Sequence, residues 1–443
     1  MKILTAGLSK IIFPHAHRNY FQYHFAFGGF LKISDILGAD TWSRVLGICA
    51  LCIVAGDFLI TAITIIYQRF WYDRISRKRY NTSYSPRCSI IIPCKGIPKD
   101  LENNLKSFLA LNYTDYEIIF TLESEQDPAF HIISNLIKND SRTSIVIAGL
   151  ATNCSQKNHN LLAAIKTAHD PEIYVFADAD ISPSGNWLKE LVLPLSNPKV
   201  TVTTGFRWLT AVQAKTCEYV HTYMNIFLYV LLTAINFAGG TFLWGGSMAI
   251  RKKDFDELKV ADRWSNAVVD DNSLSQVIMK NSRRSVVVPA CITTSDDLLP
   301  TIRLGITWFT RQIMFLKSYE KAVWFFIMLP LVFSAMFMFL WLPAALIISH
   351  GSIPAFLNAG GGASVIFYAG ELLTVLLYPL LGSVPKFYKF LYLQPFMRTT
   401  HIISSLRTVY TNKVVWSGVR YHLTFSGKVS RVERLTHGEK KKC

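Results

Sequence analysis

Two acidic pairs carry the clearest chemical potential in this 443-residue sequence. Asp178 and Asp180 follow directly on the run Ile173 to Ala177, whose β-branched and aromatic residues suit a buried strand. Two hard carboxylates at a strand end can hold Mg2+ or Mn2+, and such an ion bridges the oxygens of a diphosphate. An Asp-x-Asp sequence also marks solvated turns, and the apolar strand ahead of it is what favours a ligand. Asp270 and Asp271 open a stretch with helical character through Ile278. First-turn acids complement the helix dipole, and they can equally supply a general base to a lipid or sugar hydroxyl. The histidines His131, His159, His169 and His221 are scattered without metal-ligand spacing and receive no role.

These acids need a frame, and strand and helix signals alternate from Pro86 to about Tyr319. Cys88 to Ile92 is a β-branched run ended by Pro93, Lys95 and Gly96. Leu101, Leu105, Phe108 and Leu109 then share one helical face. Strands are expected at Glu117 to Leu122, Ser144 to Ile147 and Ile173 to Phe176, with helices at Ala129 to Lys138 and Asn158 to Ala168. Such alternation implies an α/β domain with a mostly parallel sheet and ligands at the carboxyl ends of its strands. No GxGxxG and no Walker sequence is present, so a dehydrogenase or P-loop enzyme lacks support.

Composition sets the surroundings. With 51% hydrophobic and 17% charged residues, the chain is neither disordered nor fibrous, and it is too apolar for an ordinary soluble enzyme. Val45 to Tyr67 is long enough to cross roughly 30 Å of hydrocarbon, and further spans are expected at Ala322 to Ser349 and Ala363 to Val384. Asp57 interrupts the first. A mid-membrane Asp costs about 2.5–3.5 kcal/mol on insertion scales, so it should face another helix or water. The segment 385–443 is expected to be a basic interfacial stretch and tail, and within the N-terminal segment 1–44 the first thirty-odd residues show no cleavable signal pattern. Arg69, Arg74, Arg77, Lys78 and Arg79 follow the first span, whereas His350 to Gly362 holds no Lys or Arg; the long middle segment is therefore expected in the cytosol. The net charge is +16, and the residues from Pro385 onward hold 12 Lys or Arg against 2 Glu. Juxtamembrane charge of this kind fits an anionic lipid surface better than nucleic acid, although a merely solvated tail would look the same. Eight irregularly spaced cysteines suit free thiols in a reducing compartment, and Cys49 and Cys52 are packing residues within an apolar run.

Taken in order, these residues resemble a family. Ser89 to Gly96, then Asn103, Asn104, Leu105, Phe108, Tyr116 and Glu117, look like the start of ceramide glucosyltransferases. Asp127, Pro128 and Ala129 follow, then Lys157, Asn160 and Leu161, then Asp178, then Gly246 and Ser247 with Arg251 and Lys252, and then Asp271. The resemblance covers roughly Pro86 to Tyr319 with the flanking spans. It implies an inverting, metal-dependent transferase with a GT-A fold (Rossmann-like) on the cytosolic face of a bacterial inner, Golgi or ER membrane. A sugar, glucose in this family, would pass from a UDP-sugar to a lipid hydroxyl such as that of ceramide. Pro93, Lys95 and Gly96 would hold the donor with Glu123 or Asp127 at the uridine. Lys157 and Asp178 would face the nucleotide or diphosphate, with Mg2+ or Mn2+ on Asp178 and Asp180. Asp271, beside Asp270, would deprotonate the acceptor, and Trp244, Gly246 and Trp308 would border it.

One departure stands out. The family carries a (Gln/Arg)xxArgTrp signature before its later spans, and here the matching stretch is Arg311, Gln312, Ile313, Met314 and Phe315. The first Arg is kept and the Arg-Trp pair is lost. Arg303 or Arg311 would then have to meet the diphosphate, with Trp308 and Arg311 as a shifted version of the pair. The loss counts against a processive polysaccharide synthase and leaves a catalytically degenerate scaffold as an alternative. Thr222 to Ala238, finally, is too short for a comfortable span. A core helix is the plain alternative; the expected reading is an interfacial helix that seats the domain on the bilayer and brings a lipid hydroxyl to Asp271.

Overall fold

The computed structural model describes residues 41–436. Most of the expected N-terminal segment 1–44, and residues 437–443, lie outside that range. Helix α1, Thr41–Ile66, continues without a break to Arg79 and leads into a seven-stranded sheet. There β1 (Cys88–Pro93), β2 (Tyr116–Leu122), β3 (Thr143–Ile147) and β4 (Ile173–Ala177) lie parallel, connected by α2 (Leu101–Leu109), α3 (Ala129–Ile137) and α4 (Gln156–Ile165). The side chains alternate about the sheet as the pleat requires. Ile90, Ile92, Ile173 and Val175 join Leu105 and Phe108 on one face, while Ile91, Tyr174 and Phe176 join Leu161 and Trp264 on the other. Both faces of β1, β2 and β4 are covered, which is why these strands are largely apolar. Each fully buried aliphatic or aromatic side chain contributes about 1.5–3 kcal/mol.

The second half of the sheet is mixed. β5 (Val202–Leu209) leads into α5 (Thr216–Phe237), and β6 (Ser247–Arg251) runs antiparallel between β4 and β5. β7 (Ser285–Ser295) then pairs parallel with β5, completing the order β3-β2-β1-β4-β6-β5-β7. Between β6 and β7 lies α6 (Asp270–Lys280), as the sequence predicts. The expected α/β class with a mostly parallel sheet therefore stands, and the antiparallel β6 adds to it.

Beyond the sheet come α7 (Ile302–Tyr319), α8 (Lys321–Met336, helical on to Ile348), α9 (Gly362–Val375, within the longer helical stretch Ile353–Leu380) and α10 (Tyr388–Arg407). Among the described residues four helices are long and apolar enough to cross a membrane: Thr41–Arg79, Thr216–Phe237, Lys321–Ile348 and Ile353–Leu380. They differ in surroundings. The most apolar window of the first is 22% buried and that of α5 is 67% buried. Helix α5 packs on β5 and β7 on one side and on α1, α7 and α10 on the other. It is thus a buried element joining the sheet to the helical bundle, closer to the core helix than to the expected interfacial one.

Asp57 of α1 has its expected partner. Arg398 of α10 lies 3.4 Å from Asp57 and 3.6 Å from Glu371 of α9, and it donates to Ser334 Oγ at 2.9 Å. The stretch 385–443 differs from the interfacial segment and tail expected of it. After α10 the chain forms an antiparallel sheet of β8 (Lys413–Trp416), β9 (Val419–Leu423) and β10 (Val429–Arg434). Val419, Tyr421 and Leu423 turn inward while Arg420 and His422 turn outward. Several of the supposed tail cations are accordingly engaged within the fold: Arg398 in the bundle, and Arg434 beside Glu123 at 3.7 Å. No disulfide forms among the described cysteines.

Candidate active site

The site grows from the carboxyl edge of β4, where the chain leaves the sheet as Asp178, Ala179 and Asp180. The Asp178 N–H donates to Gly246 O at 3.2 Å, which pins this turn beside the loop Trp244 to Gly246. That loop organises the second acidic pair. Gly245 N–H donates to Asp271 Oδ2 at 2.9 Å, and Gly245 O accepts from Lys157 Nζ at 3.2 Å. A Cβ on Gly245 would stand 2.5 Å from Asp270 Oδ2, so only glycine lets this backbone pass the carboxylate. Lys157 stands in the first turn of α4, whose N-cap Ser155 accepts from Asn158 N–H at 3.1 Å. Its ammonium lies 2.7 Å from Asp178 Oδ1 and 3.1 Å from Asp270 Oδ2.

One buried cation therefore pairs with two carboxylates, and its charge also acts on Asp271. Burial alone would lower Lys157, but Asp178 and Asp270 outweigh it and hold the ammonium above the ordinary lysine range. Burial pushes Asp270 up to about 7, helped by the charges of Asp271 and Asp178 and opposed by Lys157. Asp271 is raised by burial too, against Lys157 and the N–H groups of Asn272 and Gly245. A single lysine cannot neutralise all three acids, so protons near neutrality belong to the cluster as a whole. Of the pair, Asp270 is fully buried, whereas Asp271 keeps a partly exposed side chain toward the cavity.

Asp180 is paired with Arg207 of β5 through its Oδ2, while its Oδ1 is buried without a hydrogen-bond partner. Burial also raises this acid, with Arg207 opposing. An orphaned carboxylate oxygen beside Asp178 fits a divalent cation, because Mg2+-type sites draw one or two carboxylates from the protein and complete their shell with phosphate oxygens and water. No cluster of three or more His, Cys, Asp or Glu side chains suited to a metal occurs among the described residues.

A cavity of about 340 Å³ opens over these groups, within the size range of ligand sites. Its lining brings together Pro93, Lys95, Lys157, Asp178, Asp180, Trp244, Asp270, Asp271, Trp308 and Arg311. Four of the expected residues do not line it. Asp127 spends its oxygens on the N–H groups of Gly96 (2.9 and 3.2 Å) and Ala129 (2.9 Å). Glu123 pairs with Lys95 Nζ at 2.9 Å. These two acids set the loop that carries Lys95 and Gly96, and they do not face the cavity. Gly246 lies beneath the Trp244 indole, where a Cβ would meet the ring at 2.3 Å.

The departure in α7 also finds its place. Trp308 and Arg311, three residues apart on one helical face, both line the cavity, as does Phe315. Met314 points instead into an apolar cluster with Val414, Val419 and Tyr421 of the C-terminal sheet. Arg311 makes no hydrogen bond or ion pair among the described residues; its guanidinium lies over Trp416, 5.6 Å from the ring centroid. Burial, with Arg207 nearby, brings it down to about 10, still charged at neutral pH. Sequence inspection misses Arg207, Gln156, Trp416 and Tyr421. The one local signal for the last two is the alternation Val419 to Leu423, which marks a strand but not where it docks.

Comparison with known proteins agrees with this architecture. The curated relatives include ceramide glucosyltransferases 1 and 3 of Caenorhabditis elegans, 21% identical over 243 residues and 26% identical over 149 residues. The first alignment takes in 54% of this chain and 52% of the relative, the second 33% and 32%. The chain thus spans about half or less of the length of the curated relatives it matches. Among solved structures, the mannosyltransferase PcManGT from Pyrobaculum calidifontis, in complex with GDP-Man and Mn2+, is similar at a TM-score of 0.50 with 16% identity. That likeness covers 82% of this chain and 99% of the other, and it concerns the fold alone. The pattern of glycosyl transferase family 21 matches residues 56–429, from within α1 to the first residue of β10. Since that stretch holds the whole seven-stranded sheet and every residue of the cavity wall, the chain belongs to glycosyl transferase family 21 and is a ceramide glucosyltransferase-like glycosyltransferase of GT-A fold.

Proposed function

We propose that this enzyme transfers glucose from UDP-glucose to the hydroxyl of a membrane lipid such as ceramide, inverting the anomeric carbon in one displacement. The observation that carries this reading is the pairing of Asp178 and Asp270 with Lys157, with Asp271 beside them, in a cavity whose wall includes Asn225 and Leu228 of the apolar helix α5. Pro93, Lys95 and Lys157 receive the donor, and Asp178 and Asp180 would hold Mg2+ or Mn2+, which would supply charge neutralisation to a diphosphate. Arg311 adds a fixed positive charge to the same cavity. Glu123 and Asp127 act through the loop they hold in place. Asp271 accepts the proton of the lipid hydroxyl as that oxygen attacks from the face opposite UDP, and burial raises its pKa toward the working pH, which improves a general base. Trp244 and Trp308 border the acceptor, with Gly246 giving the Trp244 ring its seat.

The apolar helical bundle beside the site supports a lipid acceptor. The cations at the end of the α1 helix adjoin the catalytic domain, with Arg77 2.6 Å from Glu190, and the 350–362 connection has no Lys or Arg. This asymmetry supports a cytosolic catalytic domain whose surface cations beside the bundle meet anionic lipid.

The test is UDP release by the detergent-purified full chain, with Mn2+ and a panel of UDP-sugars, with and without ceramide or a lipid extract. Lipid-dependent release, fastest with UDP-glucose, is expected; no lipid stimulation with any donor would overturn the proposal. In the same assay Asp180→Ala should weaken UDP binding in Mn2+ by about 10–100-fold, the scale of one lost contact to a charged group. A UDP affinity indifferent to EDTA in the wild type would remove the metal from the mechanism.

A further inference from the structure

Trp416 is more than two hundred residues of sequence away from Asp178, yet it lines the same cavity. A tight hairpin takes it there. Trp416 pairs with Val419 as the last rung of β8 and β9, and the two residues between them, Ser417 (φ 49°) and Gly418 (φ 77°), are both left-handed. Two such residues define the hairpin turn that matches strand twist, and glycine at the second position adopts it without strain.

The C-terminal sheet is anchored to three of the segments that carry the site. Its inner face packs on Val268 and Val269, which lead into Asp270, and on Met314 and Phe315 of α7. Tyr421 Oη accepts from Gln156 N–H at 3.2 Å, and Arg434 donates to Gln156 Oε1 at 2.9 Å, at the start of the helix that holds Lys157. Lys317 of α7 donates to Thr408 O at 2.7 Å and Thr411 O at 3.0 Å just ahead of β8. Met314 is buried against this sheet, and a cation at that position would be desolvated there without a partner.

Among the described residues Arg311 has no hydrogen bond to fix it, so the indole is the contact that orients its guanidinium, and the Phe315 ring backs that indole at 6.3 Å between centroids. We infer that Trp416 is a positioning residue: its ring holds the Arg311 guanidinium toward the cavity, ready for an anionic diphosphate, and makes the C-terminal sheet an integral wall of the substrate site. The identity of the anion rests on the proposed function; the positioning of Arg311 does not.

Two measurements on the detergent-purified full chain separate them. The first is labelling of Arg311 by phenylglyoxal, followed by peptide mass spectrometry. Trp416→Ala should raise it about fivefold, the equivalent of a cation–π contact of ~1 kcal/mol, and Trp416→Phe should stay within about twofold of wild type. Labelling of Arg142 and Arg263, each over its own tyrosine ring, should not change, which guards against general unfolding. The second is turnover with UDP-glucose. Trp416→Ala should raise KM about fivefold with kcat within about twofold, Trp416→Phe should restore it, and in an Arg311→Ala background the loss should vanish. Unchanged Arg311 labelling in a Trp416→Ala protein would overturn the inference, as would a Trp416→Ala effect undiminished without Arg311. A wild type that neither binds UDP nor transfers sugar would sink the donor assignment, and the labelling would then decide the positioning by itself.

Discussion

Asp271→Asn is expected to lower turnover about 10³-fold, within the 10²–10⁴ range of general-base catalysis, while UDP binding stays within about twofold of wild type. The change keeps the shape and the contact with Gly245 N–H but removes the group that takes the acceptor proton. Asp270→Asn is the control. That side chain is fully buried and faces Lys157, so its loss should cost less in kcat. The pH profile adds a sign. Burial raises Asp271, and the ionised form is the base, so kcat/KM should climb with pH through a limb above the ordinary carboxylate range. Near-normal turnover by Asp271→Asn, or an acid limb at the usual carboxylate pKa, would remove Asp271 from the role.

The second large effect is on stability. Lys157→Met should destabilise the protein by about 3–5 kcal/mol, because removing one partner of a buried ion pair leaves the other charge uncompensated. Here Asp270 is 1% exposed and Lys157 12%, so solvent cannot take over the screening. The companion Lys157→Met/Asp270→Asn removes both the cation and the buried carboxylate, and it should recover much of the thermal stability without recovering transfer. A thermal midpoint for Lys157→Met equal to wild type would show that the lysine is not what compensates the buried acids.

The legibility of this protein followed the range of its signals. Strands β1 to β4 could be read because each is a short apolar run closed by turn residues, and both sheet faces are covered. The acid pairs could be read because they stand at the ends of such elements. Strands β5 and β7 escaped notice: Gly205 interrupts one and Pro289 the other, and both are rich in threonine. The antiparallel placing of β6 between β4 and β5 is a long-range pairing with no local signature.

The sequence by itself determined the α/β class, the family, the apolar helices and the residue types available for chemistry, since these rest on local periodicity and composition. Only the tertiary structure decided how the charges are shared. Lys157 lies between Asp178 and Asp270, Arg207 takes one oxygen of Asp180, and Asp127 and Glu123 turn from the cavity to brace a loop. It also decided that the basic C-terminal stretch closes the site, setting Trp416 beside Arg311 where the family signature lapses. Desolvation and pairing depend on which distant segments close over a group, and no spacing along the chain encodes that distance.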